Sequence, residues 1–272
     1  YYGAPTQRGF GEFIRDAEVS MLGVIPSMVR TWRGSGCVEG IDFSAIRAFS
    51  ATGECSSTED MHYLMALSGY RPILEYCGGT ELAGGYLLST LVKPVAPSTF
   101  NSATLGTDLV ILDEAGEVCD SGEVFLLPPA IGMSSQVLNR DHHEVYYEGV
   151  PGLHGVQLRR HGDQVERLSP GRYRVHGRAD DTMNLGGIKV SSAEIERVVN
   201  GIDGVVETAA IAVPPPGGGP SLLVVYAVLH GSDDDWQETM QQVLRGELNP
   251  LFKIHVVVVV EALPRTASNK VM

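Results

Sequence analysis

Hydrophobic positions in the first third of the chain come in short blocks that alternate with polar, helix-like stretches. Residues 19–25 are an apolar run ended by Pro26, and residues 26–32 read as a helix opening on proline, where a missing N–H is tolerated. Residues 46–51 form a second apolar run. Ser56, Ser57, Thr58 and Glu59 then open a helix to about residue 67, with hydroxyl caps and an acid in the first turn. Residues 73–76 are a third run. Strands alternating with helices predict a parallel sheet. The second and third strands run into glycine-containing polar turns at 52–54 and 78–81, and ligands of open α/β sheets bind outside such strand ends.

The pattern changes in the middle. Residues 108–113, 122–127 and 173–177 read as short strands, with turn signals at 114–116 and 169–171. This predicts a small antiparallel β unit. The tail reads as α+β. Ser191 and Glu194 have capping-box spacing before a helix to about Asn200, and residues 208–213 and 222–229 are strands around an exposed Pro/Gly loop at 214–220. A helix over 233–248 follows, with acids at its positive end, then a buried strand at 256–260 and a polar turn that holds Lys270.

Composition narrows the choices. The 272 residues suffice for one large domain or two smaller ones. Lys and Arg total 20 against 33 Asp and Glu, a formal charge of −13. That argues against nucleic acid or an anionic membrane as main partner but leaves room for an anion in a local basic pocket. No apolar run is long enough to span a bilayer as a helix, so no transmembrane segment is expected. Cys37, Cys55, Cys77 and Cys119 lack metal or redox spacing, which points to free thiols in a reducing compartment and a protein that is not secreted. Residue 1 is Tyr with no signal-peptide pattern after it, and the chain stops just past a turn, so a fragment is expected. His142 and His143 are read as exposed loop residues rather than metal ligands, and Trp32 and Trp236 as packing residues.

Three stretches carry chemistry: YCGGTE at 76–81; RHGD at 160–163 followed by GRADDTMNLGGIK at 177–189; and LPRTASNK at 263–270. In this order they resemble the second half of the adenylate-forming superfamily, the acyl-CoA synthetases, luciferases and peptide-synthetase adenylation domains. The wording is most similar to plant-type acyl-activating enzymes related to acetyl-CoA synthetase, and the likeness covers nearly the whole chain. It implies an α/β fold: residues 1–179 as the C-terminal part of a large AMP-binding domain (parallel sheet plus antiparallel β unit), and residues 180–272 as a small mobile α+β domain with its hinge near Asp180.

The resemblance implies a function as well: an acid–thiol ligase using ATP, Mg²⁺ and coenzyme A to activate a small carboxylic acid such as acetate or a short or medium fatty acid. A cytoplasmic or peroxisomal location goes with it. Both reacting groups are anionic, so positive charge and fixed donors are needed. Lys270 matches the family's catalytic lysine, against the alternative of a solvated loop residue. Asp163 matches the ribose-holding aspartate, whose two acceptor oxygens suit a diol; alone it would read as a turn cap. Arg178 matches an arginine near ribose and phosphate, against a surface ion pair with Asp180 or Asp181. Gly79 and Thr80 fall on the α-phosphate segment and Glu81 on the Mg²⁺ ligand, against a plain strand-to-helix cap. Gly53 and Glu54 resemble the adenine-lining loop. Asp180 matches the hinge, and Gly186 and Gly187 the loop presented to coenzyme A. Cys77 departs from the pattern, standing where the family commonly has an aromatic residue.

The family's glycine- and hydroxyl-rich phosphate loop does not occur in the sequence and would precede Tyr1. The 272 residues alone are therefore expected to be a poor catalyst or none. Two alternatives stay open: an adenylation domain serving a carrier protein, and a non-catalytic nucleotide- or CoA-binding remnant.

Overall fold

Three parallel strands form the frame of the N-terminal part. The computed structural model describes residues 6–185, 188–213, 221–230, 235–265 and 271. They group into two units, Tyr1–Val175 and His176–Met272. The first begins with α1 (Gln7–Asp16), β1 (Met21–Val24), α2 (Pro26–Ser35), β2 (Ala48–Ala51), α3 (Thr58–Leu67) and β3 (Ile73–Gly79). β1, β2 and β3 pair in parallel, as the alternating pattern predicts. Pro26 opens α2, Gly36 closes it in the left-handed conformation, and the Ser57 hydroxyl caps α3 by accepting from the Asp60 N–H.

Val24, Phe49 and Ile73 from the strands bury against Trp32, Met61 and Leu64 from the helices. Trp32 is a packing residue, as expected: it is fully buried and its indole N–H donates to Gln7 Oε1 at 2.8 Å. α1 is an addition to the sequence reading. Its glycines conceal it, yet a Cβ on Gly11 would stand 2.7 Å from Ile41 Cδ1, so glycine is what lets this helix pack closely.

β3 continues through both glycines of the 76–81 motif and turns antiparallel into β4 (Gly84–Leu88) and β5 (Ser102–Ala103). Next come β6 (Asp108–Leu112), β7 (Ser121–Leu127), α4 (His142–Tyr146), β8 (Gly152–Leu153), β9 (Val156–Gln157), β10 (Arg159–Ser169) and β11 (Arg172–Arg178). A four-stranded sheet runs β11-β10-β7-β6. The sequence reading found β6, β7 and β11 but missed β10, where a bulge interrupts the alternation.

The second unit contains β12 (Thr182–Leu185), β13 (Ile188–Ser191), α5 (Ser192–Val199), β14 (Val205–Val213), β15 (Leu222–Leu229), α6 (Trp236–Glu247) and β16 (Ile254–Val259). The capping box is present: Ser191 Oγ accepts from the Glu194 N–H at 3.3 Å, and Glu194 Oε2 accepts from the Ser191 N–H at 3.0 Å. β14 and β15 pair antiparallel, and β16 returns parallel to β15 after α6. Ile195, Val199, Leu223, Val225, Met240 and Leu244 form the core, with Trp236 packed against it. One expectation changes here. The valine-rich strand β16 is an edge strand, with Val256 36% and Val259 62% exposed. The loop at 214–220, Gly186, Gly187 and Lys270 lie outside the described residues.

Candidate functional site

Two local irregularities build a polar cluster in the first unit. In β10, Arg160 pairs with Phe125 and Gln164 with Glu123, so His161, Gly162 and Asp163 lie opposite the single residue Val124. The bulge needs a left-handed residue, and Gly162 supplies it at φ +87°. His161, Gly162 and Asp163 are all buried there, which strict alternation would forbid. The second irregularity is in β3, whose register with β4 shifts between Cys77 and Gly78. A short 3₁₀ turn, Thr80–Leu82, follows and projects Thr80 and Glu81 from the strand end.

The bulge and the turn meet at His161. Its Nε2 stands 3.1 Å from Asp163 Oδ2 and its Nδ1 3.4 Å from Glu81 Oε1. The ring is about 2% exposed and lies edge-on to Tyr86 with centroids 4.5 Å apart. Tyr86 Oη donates to Asp163 Oδ2 at 2.8 Å. The single S–H of Cys77 reaches the same oxygen at 3.4 Å and Tyr86 Oη at 3.3 Å. Burial pushes both the Cys77 thiol and the Tyr86 phenol well up, and the neighbouring Asp163 adds to each shift. Both groups therefore stay protonated and act as donors. Cys77 is a thiol within reach of Asp163 and Tyr86 and, unlike an aromatic residue, offers no stacking face.

The 3₁₀ turn is fixed from behind by Ser134. Its N–H donates to the Glu81 carbonyl at 2.7 Å, its carbonyl meets His142 Nε2 at 2.9 Å, and its hydroxyl accepts from Arg159 Nη2 at 2.9 Å. Arg159 is fully buried, with its guanidinium carbon 3.8 Å from the centroid of the Tyr146 ring. His142 is thus a half-buried residue of α4, whereas the sequence reading put it in an exposed loop. Among the described residues no group of three or more His, Cys, Asp or Glu could hold a metal.

The other expected residues are placed as follows. Gly53 turns the chain after β2 at φ +93°. The Glu54 carboxylate sits on the N-terminus of α2, bonded to Ser27. Gly79 is extended, φ −154°, directly before Thr80. Arg178 falls in the second unit, where its Nε contacts Asp180 Oδ1 at 3.2 Å. Asp180 is exposed, and the next residue, Asp181, has its carboxyl raised by burial and then by Asp180. Four residues escaped sequence reasoning: Tyr86, Ser134, Arg159 and His161. Only His161 lay inside a quoted motif. An apolar cleft of about 320 Å³ opens at the ends of β1 and β2, lined by Val24, Ile25, Met28, Thr52 and Tyr76 among others.

Known proteins bear on this geometry. Residues 194–270 match the AMP-binding enzyme C-terminal domain. Over its whole length the chain is 49% identical to the probable acyl-activating enzyme 17, peroxisomal, of Arabidopsis thaliana and 47% identical to the hexanoyl-CoA synthase of Cannabis sativa. It spans 39% of the length of each. The solved acetoacetyl-CoA synthetase of Streptomyces lividans superposes with a TM-score of 0.83 at 22% identity, over 98% of this chain and 42% of that one, a likeness of fold. No helix among the described residues is long and apolar enough to cross a membrane. Residues 194–270 match the AMP-binding enzyme C-terminal domain, and along its whole length the chain is similar to part of the acyl-activating enzymes, of whose length it spans 39%.

Proposed function

We propose that the protein carrying this chain is an ATP-dependent acid–thiol ligase that activates a carboxylic acid as its acyl-adenylate and passes the acyl group to coenzyme A. One observation carries the reading: Glu81 and Asp163, 82 residues apart by number (163 minus 81), meet around one buried imidazole. A structural role alone does not call for two carboxylates, one just past the end of β3 and one in the β10 bulge, gathered on a single ring.

In the proposed first step a carboxylate oxygen attacks the α-phosphorus, the acyl–phosphate bond forms and the bond to pyrophosphate breaks. In the second, a thiol sulfur attacks the acyl carbonyl carbon and AMP leaves. Thr80 donates its hydroxyl to an α-phosphate oxygen and Gly79 lets the backbone approach. Asp163, with Oδ2 oriented by Tyr86 and His161, accepts from the ribose hydroxyls. Gly53 and Glu54 line the adenine through the turn they form. Arg178 serves ribose and phosphate, Asp180 the hinge between residues 1–179 and 180–272, Gly186 and Gly187 coenzyme A, and Lys270 the junction of carboxylate and phosphate.

Mg²⁺ fits this donor set, because it keeps few protein ligands and takes the rest from phosphates and water. The partly exposed Glu81 carboxylate is the hard oxygen available for it. When bound, the ion would neutralise phosphate charge. A short or medium aliphatic acid suits the apolar cleft beside Tyr76, and the peroxisomal matrix or cytoplasm is the proposed compartment.

The test is to incubate the complete gene product with ATP, Mg²⁺ and a series of straight-chain acids, following AMP and pyrophosphate with and without coenzyme A. Acid-dependent AMP formation, with thioester only when coenzyme A is added, supports the proposal. ATP turnover indifferent to every acid sinks it.

A further inference from the structure

His161 stands between two carboxylates to which the proposed function gives separate tasks, and it has no task of its own there. Its ring is held from three sides: by the bulge with Gly162, by the edge contact with Tyr86, and by burial that leaves it about 2% exposed. It cannot swing to follow either neighbour. The imidazole presents one nitrogen to each carboxylate. Nε2 stands 3.1 Å from Asp163 Oδ2 and Nδ1 3.4 Å from Glu81 Oε1. In this arrangement Asp163 is fixed by His161 together with Tyr86. Glu81 approaches the ring at the longer distance, and its side chain, 26% exposed, keeps carboxylate oxygen open to a cation.

We infer that His161 is a positioning residue that couples the two ends of the nucleotide site, fixing Asp163 for the ribose and turning Glu81 toward the metal. The inference rests on the proposed nucleotide reading of Asp163 and Glu81. Without the ring the two carboxylates would face each other across a void, and like charges at that range in a partly buried site repel. Both would shift. Groups that orient a ligand from behind commonly matter tenfold or more to affinity.

The experiment uses the complete gene product with His161→Ala and His161→Gln. Equilibrium binding of AMP without metal reads the Asp163 end. The Mg²⁺ concentration that half-saturates ATP binding reads the Glu81 end. For His161→Ala, both should worsen by about tenfold, while KM for the acid stays unchanged. His161→Gln, whose amide can still donate toward Asp163, should recover part of the AMP affinity. The inference is overturned by a change at one end only, by a uniform loss of all constants tracking a fall in Tm, or by His161→Gln as impaired as His161→Ala although folded. If wild-type protein binds neither AMP nor ATP, the nucleotide reading itself fails. If it binds both and His161→Ala matches it, only the coupling fails.

Discussion

Glu54 caps a helix it does not belong to. Its Oε2 accepts from the Ser27 N–H at 2.8 Å and its Oε1 from the Ser27 hydroxyl at 3.0 Å. The residue at the N-cap of α2, Ile25, has no side-chain oxygen to offer, so the carboxylate arrives from the turn after β2 and also meets the positive end of the helix. Glu54→Ala should cost about 1 kcal/mol of stability, measured by urea unfolding of the chain, with Glu54→Gln in between. An unchanged unfolding curve alongside lost nucleotide binding would show that the carboxylate serves the ligand instead.

Arg159 presents a different balance. It is fully buried, its Nη2 donates to Ser134 and its cation lies on Tyr146, while Nε and Nη1 have no hydrogen-bond partner among the described residues. A buried charge so incompletely paired adds little to stability, and apolar replacement of such groups is often neutral or stabilising by about 1–4 kcal/mol. Arg159→Met should therefore hold or raise Tm. It should nonetheless weaken Mg·ATP binding in the complete gene product, because Ser134 then loses the donor that orients it behind Glu81. A fall in Tm with binding unchanged would reverse this assignment.

These two sites mark where the sequence is legible and where it is not. Local signals announce themselves: Pro26 opens α2, Ser57 caps α3, and Ser191 with Glu194 closes a capping box. Asp163, Glu81 and Thr80 came from motif wording, and the structure brings Glu81 and Asp163 to one ring. β10 stayed hidden because its bulge buries three successive residues, His161, Gly162 and Asp163, so no period of two survives. Tyr86 and Ser134 stayed hidden for another reason. Each acts through a contact far along the chain, to Asp163 and to Glu81, that local spacing does not record.

Glu75 gives a pH signature. It is buried, and its carboxylate accepts from Ser56, from the Ser98 N–H at 2.6 Å and from the Thr99 N–H. Burial raises its pKa above the ordinary 4.5, and those donors only partly offset the rise. Below 4.5 both folded and unfolded chains hold the proton and Glu75 adds no slope. Above it the unfolded chain releases the proton first, so stability falls as pH rises, until the raised folded value is passed. Glu75→Gln lacks this slope. The stability of wild type minus that of Glu75→Gln should therefore decline from pH 4.5 upward and then level off. A gap that is flat, or that widens in favour of wild type, would contradict it.

The paired glycines of the 76–81 motif should separate stability from binding. A Cβ on Gly78 would run into the Gly84 carbonyl oxygen and stand 2.5 Å from the Gly85 Cα, backbone against backbone across the β3–β4 register shift. Nothing flexible can give way, so Gly78→Ala should cost about 1–3 kcal/mol, as overpacking does. Gly79 is different. Its backbone is extended, which any residue adopts, and the three atoms nearest an added Cβ all belong to the Glu81 carboxylate, the far end of a flexible side chain. Gly79→Ala should leave the unfolding midpoint nearly unchanged but displace that carboxylate, so that more Mg²⁺ is needed to half-saturate ATP binding in the complete gene product. Urea unfolding and Mg²⁺ titration of the two variants form the test. The assignment fails if Gly79→Ala unfolds as early as Gly78→Ala, or if it binds Mg·ATP with wild-type metal dependence.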